Sequence, residues 1–445
     1  MDRRRYGELA VELARRYKGK IAVYPSVPVR HLQDFSVWYT PGVAEVSRRI
    51  AEDPEESFEL TGRWNTVAIV TDGTRVLGLG DIGPEAALPV MEGKALLFRY
   101  LGGVNALPLP VAARRLEELA ALVKALSPGL GGVNLEDIES PKCFTLLERL
   151  RGELDIPVWH DDQQGTAGAT LAALLGALRL VGKRLGEVSI ALVGAGAANL
   201  ATLRLLIAAG ADPGRIYVVD SKGILHRARP DMGELRSRNP YKYWAASVTN
   251  AEGRSGGIPE AMRGVDVVIA ASRPEPGLIR EEWIRLMADK PIVFALANPD
   301  PEIWPGDAYE AGAAVVATGR SDFPNQANNS LVFPGVFRGA LDSRARTITD
   351  GMVVAAAEEL ARYAEEHGLS RDYIIPRMSD WDVYPRVAAA VAARAAEEGV
   401  ARRPRGREEE LRLAEEIIGA ARRGLEALME AGVVVDSPEL EEVRR

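Results

Sequence analysis

The sequence predicts an α/β protein built from two parallel-sheet units and a set of C-terminal helices. Short β-branched runs alternate with longer helical patterns through the middle of the chain, which is typical of βαβ units. These runs form two series, and a long apolar segment separates them. The chain has 445 residues, whereas a domain commonly contains roughly 100 to 200 residues. We therefore expect more than one domain.

The first series of predicted strands lies before residue 160. Its members are TVAIVT (66–71), VNALPL (104–109), GGVNL (131–135) and IPVWH (156–160). The segment that follows, GTAGATLAALLGALRLVGK (165–183), is apolar on nearly every side of a helix, which predicts a buried helix. The first domain is therefore predicted to end near residue 160.

The second series of predicted strands follows this helix. Its members are VSIALVG (188–194), RIYVVD (215–220), VDVVIAA (265–271), PIVFALA (291–297) and AAVVAT (313–318). Amphipathic patterns predict helices directly after residue 349, around 383–398 and around 406–431. The predicted domains are an N-terminal α/β domain (1–160), a second α/β domain (161–400) and a helical extension (401–445).

Composition and charge argue against several classes of protein. The net charge is −8 at pH 7 with acidic and basic residues interspersed, so the basic surface that nucleic-acid binding requires is not expected. No uninterrupted apolar run reaches about 18 residues, and residues 1–20 are amphipathic rather than signal-like. A single cysteine, Cys143, and four scattered histidines argue against disulfides and zinc. We expect a soluble cytoplasmic protein without a membrane segment.

A glycine-rich turn follows the strand predicted at 188–194. In ALVGAGAANLATLRLL, Gly194 and Gly196 lie between this strand and a helix, where glycines let the main chain approach a pyrophosphate. Asp220 ends the next strand, where a carboxylate can accept hydrogen bonds from ribose hydroxyls. This order predicts a Rossmann-type NAD-binding unit with contacts at Gly194, Gly196, Ala197 and Asp220.

The glycine motif departs from its usual form at one position. Asn199 stands where a third glycine is expected, which predicts looser packing of the helix on the strand or a changed helix angle. Lys222, two residues beyond Asp220, could attract a 2′-phosphate. NAD is therefore the expected cofactor, and NADP is the alternative.

Two acidic pairs occupy equivalent places in the first series of strands. Glu136-Asp137 and Asp161-Asp162 directly follow two of the predicted strands. Carboxyl ends of parallel strands meet at one edge of a sheet, so the four carboxylates are expected to converge, and their repulsion requires a cation. Oxygen ligands favour Mg²⁺ or Mn²⁺ over zinc. A single pair could simply stabilise a helix N-terminus, but two equivalent pairs predict a metal site.

Lys94 is a charged residue in an otherwise apolar helical pattern, LPVMEGKALLFRY. Its neighbours one turn away are Val90, Met91, Leu97 and Phe98. Burial of an ammonium lowers its pKa, as a general base at neutral pH requires. A lysine can equally extend along apolar side chains to solvent. The residues alone leave both interpretations open.

Two proline-containing dipeptides predict helix starts beside these candidate site residues. Thr40-Pro41, just after Tyr39, and Ser140-Pro141, just after the first acidic pair, are each predicted as an N-cap and first helical residue. A phenol at such a helix entrance could donate a proton. A tyrosine in this position is nevertheless ordinarily a packing residue.

Seven segments of the chain match one known set of signature blocks. They are WYTPGVAEV, VTDGTRVLGLGDIGPEAALPVMEGKA, NLEDIESPKCF, VWHDDQQGTA, LVGAGAAN, FALANPDPEI and NNSLVFPGVFRGAL. Together they resemble the blocks of malic enzymes, in particular the short prokaryotic form. The resemblance implies oxidative decarboxylation of L-malate to pyruvate and CO₂ with NAD or NADP and Mg²⁺ or Mn²⁺. It also implies a homodimer or a larger homo-oligomer.

The resemblance implies roles for individual residues. The implied metal ligands are Glu136, Asp137 and Asp162. Lys94 is implied as the general base, Asp161 as the residue that orients it, and Tyr39 as the general acid. The cations expected to offset the repulsion between Asp161 and Asp162 are thus the metal on one side and Lys94 on the other.

Three further residues match contact positions of the family. Arg75 in GTRVLGLG matches an arginine that holds a malate carboxylate in some members, and many short bacterial relatives lack it. Asn298 in ALANP and Asn329 in NNSLVFPG match asparagines that contact the substrate, and Asn298 is also expected at the cofactor. Each asparagine could otherwise be a turn residue.

Two other functions stay open from the sequence. The first is malolactic conversion, in which NAD stays bound and lactate is released. The second is an NAD-binding sensor that kept the fold and lost catalysis, although such a binder needs no base, acid and metal site together. The sequence does not indicate whether Tyr39 and Lys94 act within one subunit or across an interface.

Overall fold

The computed structural model describes residues 3–444 of the chain. Its strands are β1 (Thr66–Thr71), β2 (Asn105–Pro110), β3 (Gly132–Leu135), β4 (Val158–His160), β5 (Ile190–Val193), β6 (Ile216–Asp220), β7 (Gly223–Ile224), β8 (Val267–Ala270), β9 (Ile292–Ala295) and β10 (Val315–Thr318). Its helices are α1 (Arg3–Tyr17), α2 (Asp34–Trp38), α3 (Val43–Glu52), α4 (Ser57–Leu60), α5 (Pro84–Gly102), α6 (Leu116–Leu126), α7 (Lys142–Glu153), α8 (Thr166–Val181), α9 (Ala197–Ala208), α10 (Met232–Arg238), α11 (Pro240–Val248), α12 (Ile258–Met262), α13 (Glu281–Ile284), α14 (Pro305–Glu310), α15 (Phe333–Asp342), α16 (Asp350–Glu366), α17 (Val383–Glu397), α18 (Arg407–Glu430) and α19 (Pro438–Arg444).

The first sheet contains the four strands predicted before residue 160, all parallel and in the order β2-β1-β3-β4. β4 is shorter than predicted and begins after Pro157, which has no main-chain N–H to donate. Leu135 of β3 pairs with His160 of β4. The residues that follow these two strands therefore emerge side by side at one edge of the sheet.

The second sheet contains the five strands predicted after the apolar segment. Its order is β10-β9-β8-β5-β6-β7, and only the two-residue β7, which was not predicted, runs antiparallel to its neighbour. The strand order reverses between β5 and β8. In open α/β sheets, ligands bind outside the carboxyl ends of the strands at this point.

Alternate residues of the second sheet pack in two different cores. In β5, Ile190 and Leu192 belong to the large core that also contains the first sheet. Ala191 and Val193 point to a smaller core on the opposite face. Both faces are therefore covered, as is usual for parallel sheets.

The predicted buried helix at 165–183 is confirmed as α8, which packs against α9 and α16. Together with the turn before it, the segment Asp161–Val181 is long and apolar enough to cross a membrane by length and composition. Within the protein, 72% of its apolar window is buried. The segment is accordingly a core helix of this fold.

The predicted C-terminal helices are confirmed as α16, α17 and α18. α16 begins after Thr349, whose side chain accepts a hydrogen bond from the main chain of Met352, an N-cap that favours a helix start. α18 packs against α17 and α5 and buries Ile418. The last long helix thus docks on the body of its own chain.

Both predicted proline-containing helix starts are wrong by one or two residues. α3 begins at Val43, because Thr40-Pro41 lies in a turn closed by main-chain hydrogen bonds ahead of the helix. α7 begins at Lys142. The residues directly before α3 and α7, Gly42 and Pro141, form no capping hydrogen bond through a side chain. Proline therefore lies before the first helical residue in both places.

Candidate active site

The edge of the first sheet carries both acidic pairs. Glu136 and Asp137 follow β3, and Asp161 and Asp162 follow β4 beside it. One oxygen atom from each of Glu136, Asp137 and Asp162 lies within 4.8 Å of the other two. Because Glu136 and Asp137 are buried and Asp162 is half-buried, water screens their mutual repulsion poorly.

The arrangement of these oxygens fits a hard divalent cation. Asp137 Oδ2 is buried and has no hydrogen-bond partner among residues 3–444, which is unfavourable unless a cation or water occupies the position. Asp162 Oδ2 accepts a hydrogen bond of 2.8 Å from the main-chain nitrogen of Asp137, so the two loops are held together. Three carboxylates match the ligand preference of Mg²⁺ and Mn²⁺.

Asp161 does not belong to the three-carboxylate group and contacts Lys94 instead. It is fully buried, its Oδ1 accepts a hydrogen bond of 2.9 Å from Trp159 Nε1, and its Oδ2 accepts one from Lys94 Nζ. The segment Asp161–Gly165 forms a turn of π-helix, a feature frequent at functional sites. A Cβ atom at Gly165 would lie 2.0 Å from Asp161 Oδ1, so only glycine fits there.

Lys94 projects from α5 into this carboxylate group, with only 8% of the residue exposed. Its Nζ lies 2.9 Å from Glu136 Oε1, contacts Asp161, and lies 4.5 Å from the centre of the Phe333 ring. Burial alone lowers the pKa of Lys94, but attraction to Asp161 and Glu136 outweighs it and raises the pKa above its ordinary value. Lys94 therefore does not extend to solvent, and without a bound cation its pKa is raised instead of lowered, while its role as the general base stays a prediction.

Two carboxyl groups of the cluster, those of Glu136 and Asp137, have raised pKa values. Burial raises the pKa of Glu136 well above its usual range, although Lys94 opposes this shift. Burial and the charge of Asp162 raise the pKa of Asp137 to about 8. Without a bound cation, the Asp137 carboxyl group therefore retains its proton at neutral pH.

This proton retention predicts a pH dependence of stability. Between about pH 4 and about pH 8 the folded metal-free protein binds more protons at Asp137 than the unfolded chain, so its contribution to stability falls as pH rises. Mn²⁺ requires the deprotonated carboxylates, so its stabilising effect should grow over the same range. Scanning calorimetry with EDTA and with Mn²⁺ measures both, and Asp137→Asn should reduce the slope. An equal Mn²⁺ effect at pH 5 and pH 8 would contradict this expectation.

The substrate-contact residues predicted from the sequence lie at different depths around the cluster. Asn329 is half-buried, and its Cβ would be 2.9 Å from a Cβ added to Gly165. The main-chain nitrogen of Arg75 donates to the carbonyl of Asp137 at 3.0 Å, whereas Arg75 as a whole is exposed. Asn298 is exposed, and its carbonyl would be 3.0 Å from a Cβ on Gly78. The loop after β9 thus touches the loop after β1.

Tyr39 does not join this buried group within the chain. It is 70% exposed and lies between α2 and α3, in a stretch without buried residues. Among the residues whose burial the structure describes, Phe58 is the first buried one from the N-terminus. The phenol is therefore displayed on the surface of a single chain.

The glycine-rich turn lies at the reversal point of the second sheet. Gly194 has a φ of 104°, and a Cβ there would lie 2.6 Å from the carbonyl oxygen of Ala271 at the end of β8. Gly196 caps α9, which begins at Ala197, and a Cβ on Gly196 would enter open space. This geometry lets a phosphate approach the N-terminus of α9.

Asn199 strengthens the contact between helix α9 and the end of strand β5, which a third glycine at this position usually permits. It is 1% exposed, and its Nδ2 donates to the carbonyls of Val193 and Gly194 at 2.9 and 3.0 Å. The expectation of looser packing is therefore wrong, because the amide ties α9 to the end of β5.

Replacing Asn199 by alanine should test this tie. The variant leaves the carbonyls of Val193 and Gly194 without their donor, so we expect a loss of about 1–3 kcal/mol in unfolding free energy and weaker NAD binding. Denaturant unfolding and NAD titration measure these effects. Ala208→Asn, at an exposed position of the same helix, is the control. Unchanged stability and affinity in Asn199→Ala would show that the tie is unimportant.

Asp220 is engaged by protein groups rather than free for a ribose. Its Oδ1 accepts hydrogen bonds of 2.9 Å from Arg229 Nη1 and from the main-chain nitrogen of Lys222, and its Oδ2 accepts one of 3.3 Å from Lys242 Nζ. Only 5% of the Asp220 side chain is exposed. The charge that would repel a 2′-phosphate is therefore compensated, and the contact of Asp220 with a ribose stays a prediction.

Two positioning residues were missed by the sequence analysis. Asn134 Nδ2 donates to Glu136 Oε2 at 2.8 Å, and Trp159 donates to Asp161. A polar Asn134 inside an apolar strand was an available signal, because a buried amide requires partners. Trp159 gave no such signal, since its ring also packs in the core.

Comparison with protein families agrees with this geometry. The family model described as malic enzyme, N-terminal domain, matches residues 18–115, and the one described as malic enzyme, NAD binding domain, matches residues 163–396. The chain belongs to the malic enzyme family. The expected α/β class, with an NAD-binding domain of Rossmann type, is thereby confirmed.

Malic enzymes from several organisms are similar to this chain over most of its length. The bifunctional malic/malolactic enzyme of Bacillus subtilis is 48% identical over 89% of this chain and 94% of its own length. The NAD-dependent malic enzyme of Geobacillus stearothermophilus is 48% identical over 86% of this chain and 78% of its own length. The NADP-dependent malic enzyme of Halomonas elongata is 43% identical, with coverages of 87% and 92%.

A solved malic enzyme has the same fold. The crystal structure of Entamoeba histolytica malic enzyme superposes with a TM-score of 0.94 at 44% identity, covering 97% of this chain and 90% of that one. Malic-enzyme architecture thus extends over the acidic cluster, the glycine-rich turn and the C-terminal helices alike.

Proposed function

We propose that this chain catalyses the oxidative decarboxylation of L-malate to pyruvate and CO₂ with reduction of NAD or NADP. The observation that carries the proposal is the buried Lys94, held by Asp161 and Glu136 at the border of a three-carboxylate cluster. A base beside a cation site is the arrangement required to remove the proton of a hydroxyl group that is being oxidised.

The proposed cofactors each supply one part of the chemistry. Mg²⁺ or Mn²⁺ held by Glu136, Asp137 and Asp162 would supply Lewis acidity, and the nicotinamide ring would accept the hydride from C2 of malate. A cation bound at Glu136 would neutralise a carboxylate whose charge raises the pKa of Lys94. The cation would also repel the Lys94 ammonium directly. We therefore propose that the pKa of Lys94 falls when the metal binds, which prepares Lys94 to act as a base.

The chain's own residues then have distinct proposed tasks. Lys94 takes the proton from the C2 hydroxyl, and Asp161, fixed by Trp159, orients the Lys94 amine. Tyr39 gives a proton to C3 after CO₂ has left. Asn298 and Asn329, which lie on loops around the cluster, bind the malate carboxylates, together with Arg75.

We further propose that Tyr39 reaches the site of a second copy in a homodimer. Residues 5–57 include no buried residue, yet they carry large apolar side chains such as Val23, which is 89% exposed, and Leu32, which is 80% exposed. An apolar segment of this kind is typical of an interface between subunits. A partner subunit would cover it and bring a phenol to the buried cluster.

Mixing two inactive variants tests this arrangement. Tyr39→Phe and Lys94→Met should each be inactive alone. In randomly reassorted dimers that share sites across the interface, about a quarter of the sites contain both native residues, so activity should return to about a quarter of the native value. Different affinity tags on the two variants, captured one after the other, check that mixed dimers have formed. No recovery in demonstrably mixed dimers would show that both residues act within one chain.

Initial rates with malate test the proposed reaction. Assays that compare NAD with NADP and Mg²⁺ with Mn²⁺, and that quantify pyruvate, lactate and reduced cofactor, should show equal amounts of pyruvate and reduced cofactor.

NAD is the proposed preferred cofactor, and NADP is accepted because the charge of Asp220 is compensated by Arg229 and Lys242. The name of the Bacillus subtilis relative supports malolactic conversion as a second candidate. Lactate without accumulation of NADH would favour it, and no metal-dependent turnover would favour a sensor.

A cytoplasmic location completes the proposal. The single cysteine, Cys143, is free and buried, which suits a compartment where thiols stay reduced. Fractionation of the native cells, followed by detection of the protein with an antibody, measures the location.

A further inference from the structure

The loop after β1 is hydrogen-bonded to the loop after β3, which carries two of the proposed metal ligands. The two loops are neighbours because β1 pairs with β3 in parallel. The main-chain nitrogen of Arg75 donates to the carbonyl of Asp137 at 3.0 Å, and that of Leu77 donates to Asp137 Oδ1 at 3.4 Å. The main-chain nitrogen of Glu139 in turn donates to Thr74 Oγ1 at 3.0 Å. The first loop therefore holds the second at Asp137 and again two residues later.

Asp137 adopts a main-chain conformation that requires such support. Its φ is 54°, in the left-handed region that residues other than glycine rarely adopt. In this conformation its nitrogen donates to Asp162 Oδ2 at 2.8 Å, and one of its carboxylate oxygens lies with those of Glu136 and Asp162. A residue keeps a rarely populated conformation only where the surrounding structure fixes it. The placement of the Asp137 carboxylate therefore depends on the contacts made by the neighbouring loop.

The hydroxyl of Thr74 links the two loops through a side chain. Only 6% of Thr74 is exposed, and Asp72 beside it is fully buried. Thr74 Oγ1 donates to Asp72 Oδ1 at 2.6 Å, so its proton is directed to that carboxylate and a lone pair accepts the N–H of Glu139. Removal of the hydroxyl would leave this partly buried N–H without its acceptor, which is unfavourable. The segment directly after Asp137 would then be held less firmly.

We propose that Thr74 is a positioning residue for the metal ligand Asp137. This inference rests on the proposed metal site and adds to it a residue that acts through Asp137. Thr74 couples the buried carboxylate of Asp72 to the main chain of Glu139, which limits the motion of the loop between them. A ligand that is held in place beforehand loses less freedom when the ion binds. The affinity for the metal should therefore depend on the Thr74 hydroxyl.

Replacement of Thr74 by valine tests this role. Valine keeps the branched shape of the side chain and removes the hydroxyl. Calorimetric titration should show that Thr74→Val binds Mn²⁺ about tenfold more weakly than the native protein, while its NAD affinity stays close to the native value. Thr74→Ser keeps the hydroxyl and should bind Mn²⁺ nearly as well as the native protein.

Thr249→Val is the matched control for the loss of a buried hydroxyl. Thr249 is 2% exposed and lies at the end of α11, where its hydroxyl donates to the carbonyl of Ala245 at 2.8 Å. The Mn²⁺ affinity of this variant should equal that of the native protein. Native Mn²⁺ affinity in Thr74→Val would overturn the proposal, and so would equal weakening in Thr74→Val, Thr74→Ser and Thr249→Val.

A measurement without metal separates the link between the loops from the metal site itself. Hydrogen–deuterium exchange of the metal-free protein, followed by mass spectrometry, should be faster over residues 136–140 in Thr74→Val, because the N–H of Glu139 lacks its acceptor. Unchanged exchange in this segment would overturn the proposed link. If the native protein bound no Mn²⁺ while exchange in Thr74→Val still rose, the proposed metal site would be wrong, and Thr74 would only join the two loops.

Discussion

Replacing Lys94 by methionine should reduce malate oxidation by about 10³-fold or more while NAD affinity stays within a few-fold of the native value. The substitution keeps an unbranched side chain in the buried space and removes the amine that contacts Asp161 and Glu136. These two carboxylates then lose their counter-charge, so stability should also fall, by about 3–5 kcal/mol if both stay ionised. Steady-state rates, NAD titration and thermal unfolding measure the three effects.

Lys142→Met is the matched control for this variant. Lys142 also pairs with a buried carboxylate, that of Asp72, and is only 14% exposed, but it lies outside the cluster. It should lose stability to a similar extent and retain turnover within about tenfold. If both lysine variants lost turnover equally, the effect would be structural, and the assignment of Lys94 as the base would have to be abandoned.

Replacing Asp162 by asparagine should weaken Mn²⁺ binding at least ~100-fold and should abolish malate turnover at micromolar metal. The amide keeps the size of the side chain but removes a negative charge from the three-carboxylate group. With less repulsion in the cluster, the metal-free variant should be as stable as the native protein or more stable. Calorimetric titration with Mn²⁺ measures the affinity directly.

Glu139→Gln provides the control for charge near this loop. Glu139 lies two residues beyond Asp137, and its side chain is 56% exposed and pairs with Lys142 rather than with the cluster. Its Mn²⁺ affinity should therefore stay close to the native value. Comparable weakening in both variants would indicate a general effect of charge instead of direct ligation by Asp162.

The fold was largely predictable because local patterns decide it. The nine strands expected from β-branched runs are present, and α8 is buried as its uniform apolarity predicts. Errors arose where a neighbouring residue interferes with the local pattern. Proline lies just before helices α3 and α7 instead of within them, and Pro157 shortens β4. Strand β7 has only two residues, which is too short for a sequence pattern to predict it.

The residues of the candidate site were predictable from the sequence, whereas their charge interactions and pKa shifts were less predictable. Equivalent positions after β3 and β4 indicated that Glu136 and Asp162 would converge. The pKa of Lys94 was predicted in the wrong direction, because its apolar neighbours lie close in sequence, whereas Asp161 lies 67 residues away. Asp220 likewise meets Arg229 and Lys242 through tertiary contacts that no local pattern signals.

The position of a bound metal tests the central claim most directly. Crystals soaked with Mn²⁺ and examined by anomalous diffraction should show one strong site per chain, ligated by an oxygen of Glu136, Asp137 and Asp162, with Lys94 Nζ within hydrogen-bonding reach of a bound malate analogue. Absence of manganese from this cluster at saturating concentration, or a metal bound elsewhere with malate beside it, would contradict the account.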